Sequence, residues 1–273
     1  MDIEKLLSIL VIFAYSLGAF GIVLGTLSMR YVLKTAANRL TLAGFALHTL
    51  LLLIVFFQQE NLGSLSAGYF MQLLAWCLIL LYLTAWRWLR VSFLGLTAAP
   101  LALLLTILSM RLSKVQNLLP EHFSALFFGL HIWALYLSIG LLAMAFGAGL
   151  LFIYTEDKLK KKAPLTGFTK DMPSLSTYDK VNHAAVIAGF PLYTLGLMSG
   201  FIWAPMAKEI AENPKVLLSL FVWILYAVLF YQRMAMRYRG RKTAVMAIAI
   251  FIISVLSFGI DYTVSHHSSR LLP

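Results

Sequence analysis

Six histidines carry most of the chemistry this chain could do: His48, His122, His131, His183, His266 and His267. A neutral imidazole ligates a metal or heme iron through its lone pair, and it also relays protons. His48 stands mid-way along the apolar run Phe45-Ala46-Leu47-His48-Thr49-Leu50, which holds no charged residue. Two readings stay open for it: an axial heme ligand or substrate contact, or a structural histidine bonded to a neighbouring helix. His131 lies close to Trp133 and Tyr136 in the outer part of a second apolar run. His266 and His267 come near the chain's end, on the same expected side as His131. Imidazoles facing each other across a flat cavity would make a bis-histidine heme site. An exposed tail is the other reading of the C-terminal pair. His183 is expected at a membrane interface, where histidines pack more often than they ligate. His122, beside Glu121, reads as solvated.

Other chemistries find no support. Cys77 is the sole cysteine and lies inside an apolar run, which excludes an intramolecular disulfide, a CxxC redox pair and a CxxCH heme attachment site. There is no GxSxG, HExxH or P-loop. Paired intramembrane carboxylates, common in ion-coupled transport, are missing too; Asp261 is the nearest approach to one. The sequence therefore points to a binding protein and not to an enzyme.

The elements that must position these histidines follow from composition. Of 273 residues, 61% are hydrophobic and 12% charged, against about 25% charged in a soluble domain. The expected fold is all-α: a single transmembrane domain over residues 1–273, polytopic, with eight transmembrane helices. A crossing helix needs about 20 apolar residues. Segments near Leu6–Leu27, Leu40–Phe57, Gly68–Trp86, Val91–Met110, Phe123–Tyr154, Ala184–Trp203, Val216–Ala235 and Thr243–Ile260 qualify. The fifth is long enough to tilt or to run beyond the bilayer. The first lacks a small-residue cleavage site and reads as a retained helix.

The net charge of +11 and pI near 9.8 do not indicate a nucleic-acid partner, because the basic residues sit in short clusters between apolar runs. Most of them follow helices one, three, five and seven, including Arg30, Arg87, Lys160 to Lys162, Arg233 and Arg239. Lys5, Arg111, Lys114, Lys208, Lys215 and Arg270 are left on the other side. The positive-inside rule then puts both termini outside the cytoplasm. The basic loop 155–182 is expected to be cytoplasmic. It is either a docking surface for a soluble partner or anionic lipid, or an ordinary topology-setting loop. Ser176 followed by Asp179 resembles a helix N-cap with an acidic first turn.

One stretch is recognisable: Gly189-Phe190-Pro191-Leu192-Tyr193-Thr194-Leu195-Gly196-Leu197-Met198-Ser199-Gly200-Phe201-Ile202-Trp203-Ala204. It resembles the heme-handling membrane protein family of cytochrome c assembly. Leu130-His131 with Tyr136 and Ser138, Leu225-Tyr226-Ala227, and His267-Ser268 after the last helix also resemble that family. The resemblance implies a b-type heme held by His131 and His267 on the outer side, with His266 as substitute. A second, inner site would use His48 and His183. The tryptophan-rich loop of the cytochrome c synthases does not follow here, where Trp203-Ala204-Pro205-Met206 runs on. Tyr231 stands near the position of a family transmembrane histidine. The pattern is thus closer to the HemX-type branch. That branch implies a regulator of tetrapyrrole biosynthesis in a bacterial inner membrane, with glutamyl-tRNA reductase as its soluble partner. Two further readings are a cytochrome c assembly subunit that holds or moves heme with a partner chain, and a diheme electron carrier using quinone.

Overall fold

The computed structural model describes residues 3–59, 65–88, 91–112, 125–162, 173–203 and 214–268, with residues 111, 125, 203, 214–215 and 258–268 as backbone alone. The described residues form eight α-helices: α1 (Ile3–Leu27), α2 (Tyr31–Gln58), α3 (Ala67–Trp88), α4 (Gly95–Leu112), α5 (Ala125–Lys160), α6 (Leu175–Trp203), α7 (Pro214–Met234) and α8 (Arg241–Ser268). Seven are long and apolar enough to cross a membrane. The eighth, α8, holds an uncharged run from Thr243 to Ile260. The protein is an all-helical, polytopic membrane protein. In lipid no water is present to bond open N–H and C=O groups, so each crossing segment must satisfy its own backbone as a helix.

Several helices outrun the apolar segments that announce them. The second starts at Tyr31 and not Leu40, the sixth at Leu175 and not Ala184, and the eighth continues to Ser268. An apolar run reports where the lipid is. The helix does not stop there, because intrahelical hydrogen bonding stays favourable in the headgroup layer while polar side chains are solvated. The expected loop 155–182 is shortened at both ends in this way: α5 runs to Lys160 and α6 begins at Leu175. Ser176 is therefore inside α6 and does not precede it.

Contacts divide the chain into two compact units, residues 1–122 with 155–174, and residues 123–154 with 175–273. In the first, α1 and α2 form a close hairpin. Gly18, Gly21 and Gly25 of α1 back onto Thr41, Ala37 and Lys34 of α2, and a Cβ at Gly21 would lie 2.8 Å from that of Ala37. Small residues of this kind let helix backbones approach where lipid supplies no hydrophobic drive between helices. Tyr82 of α3 donates to Asn38 Oδ1 (2.6 Å), and Trp76 Nε1 donates to Thr49 (2.8 Å), which fastens α3 to α2. The helix α4 packs on α1 and α3.

In the second unit α5, α6, α7 and α8 pack together. Tyr193 and Trp223 bond across α6 and α7, to the Ser219 carbonyl and to Thr194 Oγ1 respectively. Phe146 of α5 stacks on Phe251 of α8 with centroids 4.6 Å apart, and Gly149 faces Ala244 and Ile248. The last two contacts make α5 antiparallel to α8, and bonds from His131, Ser138 and Asn182 make it antiparallel to α6.

Candidate functional site

The seam between α5 and α6 is held by side chains that reach main-chain carbonyls. Asn182 Nδ2 donates to Ala145 O (2.8 Å). Ser138 Oγ donates to Gly189 O (2.8 Å). His131 Nδ1 lies 2.7 Å from Gly196 O. A carbonyl can only accept, so Nδ1 carries the proton and the neutral ring has its lone pair on Nε2. Metal-ligating histidines are set up in this way, with one nitrogen donating to a fixed acceptor and the other turned to the metal.

Room for the ring comes from glycine. A Cβ at Gly200 would come within 2.7 Å of His131 Nδ1 and 2.8 Å of its Cε1. One at Gly196 would meet Leu135 at 2.6 Å. Gly189 likewise leaves space for the Tyr226 hydroxyl. The recognisable run of α6 is thus a packing face whose glycines seat α5 and its histidine. The G-x-x-x-G spacing of Gly196 and Gly200 is a readable signal for close helix approach, and sequence reasoning had not tied it to His131.

His266 and His267 lie on α8 itself and not on a tail after it. Their side chains lie outside the described residues. Their level follows from register. His131 precedes Phe146 by fifteen residues and His266 follows Phe251 by fifteen, so each is about 22 Å along its axis from the Phe146–Phe251 contact. The antiparallel pair α5 and α8 therefore carries His131 and the C-terminal histidines to one end of the second unit. A heme iron would fit this donor set: His131, with its ring lone pair on Nε2, and two more histidine positions at the same level of the unit.

The other predicted residues go elsewhere. His48 belongs to the first unit, where it is fully buried. Its Nδ1 is 3.1 Å from the Tyr15 hydroxyl of α1, while Nε2 has no hydrogen-bond partner among the described residues. Gly44 makes space for the Tyr15 ring beside it. His183 is half-buried on α6 in the second unit; it lines a cleft at the opposite end of α6 from Gly200. His122 lies outside the described residues.

Near that cleft is a polar network that the sequence reading passed over. Arg233 of α7 is 2% exposed. It donates through Nη1 to Asp179 Oδ1 (2.7 Å) and through Nη2 to Asn182 Oδ1. Asp179 also accepts the Gly240 N–H at 3.1 Å. Gly240 sits at φ +84°, where a side chain would be strained. Asp179 therefore does not cap α6 but joins α6 to α7 and to the α7–α8 turn. Arg233 had been counted only toward topology. An Arg and an Asp fifty-four residues apart give no local signal of pairing.

With this geometry in place, comparison with known proteins is decisive. The profile of the Cytochrome C assembly protein family matches residues 66–266. The chain belongs to the cytochrome c assembly protein family. A cytochrome c biogenesis protein CcsA from Chlamydomonas reinhardtii is 27% identical over 242 residues, covering 84% of this chain and 67% of the relative. Another of that name from Trieres chinensis is 24% identical over 245 residues, 74% of this chain and 78% of the relative. A third, from Rippkaea orientalis, is 30% identical over 121 residues, 41% of this chain and only 34% of the relative. Cytochrome c assembly proteins handle heme. These findings overturn the expectation of a HemX-type regulator of tetrapyrrole biosynthesis. The relatives are named for cytochrome c biogenesis, and none of those names concerns glutamyl-tRNA reductase. The physical reason is that the family likeness runs through the helices around the α5–α6 seam. The missing tryptophan-rich loop did not justify the step from cytochrome c assembly to the other branch.

Proposed function

We propose that the protein is a cytochrome c assembly subunit that holds heme, non-covalently and as a b-type center, together with a partner chain of the assembly machinery. His131 on α5 and His267 or His266 on α8 are the residues that would hold the heme iron. The observation that carries this reading is the His131 Nδ1 to Gly196 carbonyl bond, which presents the ring's lone pair on Nε2. The common level of His131 and the C-terminal pair supports it. A b-type center is supported by the buried, solitary Cys77, which offers no thioether anchor. Bound heme supplies an iron that accepts two imidazoles. This chain's part is to orient His131, seat it between glycines and exclude competing donors. We place the protein in a bacterial cytoplasmic membrane; the distribution of Lys and Arg favours both termini outside.

The test is an absorption spectrum of detergent-purified protein, oxidised and reduced, with a pyridine hemochrome for heme content. Wild type should show a Soret band with sharp reduced α and β bands. His131→Ala should lose most of its heme while keeping its thermal melting transition. A folded His131→Ala protein with unchanged heme content and band positions would remove His131 from the ligand set. Complementation of a strain lacking c-type cytochromes tests the assembly role separately.

A further inference from the structure

The basic end of the second unit holds a cleft of about 410 Å³, lined by Phe152, Leu175, Ser176, Asp179, Lys180, His183, Arg239 and Gly240. Its charge balance is uneven. Asp179 is the only acid in the wall, and its carboxylate is already shared by Arg233 and the Gly240 N–H. Arg233 is held by Asp179 and Asn182 and adds no free cation. Lys180 and Arg239 are different: both are exposed, and among the described residues neither has an ion-pair partner. The wall therefore presents two uncompensated cations, an imidazole able to donate a hydrogen bond, and the first turn of α6. That first turn brings the positive end of the helix dipole. Phe152 and Leu175 supply an apolar side.

The level of the cleft narrows the ligand. The charged and polar residues of α6, Asp179, Lys180, Asn182 and His183, all precede Ala184, and the run Ala184–Trp203 after them is uncharged and long enough to cross a hydrocarbon core of about 30 Å. The first turns of α6, which form the cleft, therefore stand in the headgroup layer. A ligand there meets cations on one side and the edge of the acyl region on the other. We propose that this cleft binds the headgroup of an anionic phospholipid, with its phosphate between Lys180 and Arg239 and its glycerol end against Phe152 and Leu175. The volume is that of a small-molecule site. The buried Arg233 network fixes the wall, so the site is built before the lipid arrives. This proposal is independent of the heme-holding reading, whose residues lie at the other end of α5 and α6.

The full-length protein in detergent is titrated with phosphatidylglycerol and, separately, with phosphatidylcholine of the same acyl chains, and adducts are counted by native mass spectrometry. Phosphatidylglycerol should bind about thirtyfold more tightly, from roughly 1 kcal/mol for each of the two cations near the surface. Lys180→Gln/Arg239→Gln should abolish that preference. A matched pair of exposed cations in the first unit, Arg30→Gln/Arg39→Gln, should leave it intact. Equal loss in both pairs, or no preference in wild type, overturns the proposal. So does displacement of the lipid by millimolar inorganic phosphate, which would mean a free-anion site, or by one equivalent of hemin, which would mean a site for tetrapyrrole carboxylates. If the double variant fails to fold, the single Lys180→Gln should lower the preference about fivefold.

Discussion

Replacing Gly200 by alanine tests whether the seat of His131 matters as argued. The added Cβ would stand 2.7 Å from Nδ1 and 2.8 Å from Cε1, where ordinary contact begins at 3.4 Å. The imidazole must therefore withdraw from α6 by about 0.7 Å. Gly196 O lies on the same helix, so its bond to Nδ1 stretches from 2.7 Å to about 3.4 Å, beyond hydrogen-bond range. Loss of such an orienting bond typically lowers metal affinity by about 10- to 100-fold. Hemin titration of the purified protein should show a loss of at least tenfold in Gly200→Ala. Gly129 is the internal control. It lies on α5 two residues before His131, and a Cβ there meets nothing within 4 Å. Gly129→Ala should bind hemin as wild type does. The reasoning is refuted if folded Gly200→Ala binds hemin within about twofold of wild type, or if Gly129→Ala is equally impaired.

Two further outcomes follow from the buried polar groups. Tyr15→Phe removes the partner of His48 Nδ1 and leaves a fully buried imidazole unsatisfied at both nitrogens, which should cost about 1–3 kcal/mol of stability. Denaturant or thermal unfolding in detergent measures it, and an unchanged transition would mean that water or another group serves the ring. Arg233→Leu strips the charge partner from Asp179 and one acceptor's donor from Asn182; it should destabilise by about 3 kcal/mol. Adding Asp179→Asn in the same chain should recover part of that loss, and a double variant no better than the single one would count against a paired network.

The apolar runs made the membrane fold legible, since only helices can cross lipid. They were poorer guides to helix ends, because the turns of α2, α6 and α8 outside the core carry charges and still remain helical. His131 could be picked out because a polar group in an apolar helix is conspicuous. Its orientation could not be read, since that depends on a carbonyl sixty-five residues away. The Asp179–Arg233–Asn182 network was hidden for a related reason. Charge counting treats every arginine at a helix end as a topology signal, and only the tertiary contact shows that Arg233 is buried. Family membership was visible in the run from Gly189 to Ala204, but the branch was misjudged from the sequence that follows it, which lies outside the described residues.

The group that orients His131 belongs to the main chain. No substitution can delete the Gly196 carbonyl, as one could delete an orienting Asp or Glu. It also brings no formal charge into a low-dielectric environment, where a carboxylate would be costly unless paired. The mutational target of the device is therefore small and indirect. It comprises the space at Gly200 and the register that Ser138 and Asn182 fix along α5 and α6. Variation at this site should thus act through clearance and helix offset. The basicity of the acceptor itself is a constant that selection on side chains cannot reach.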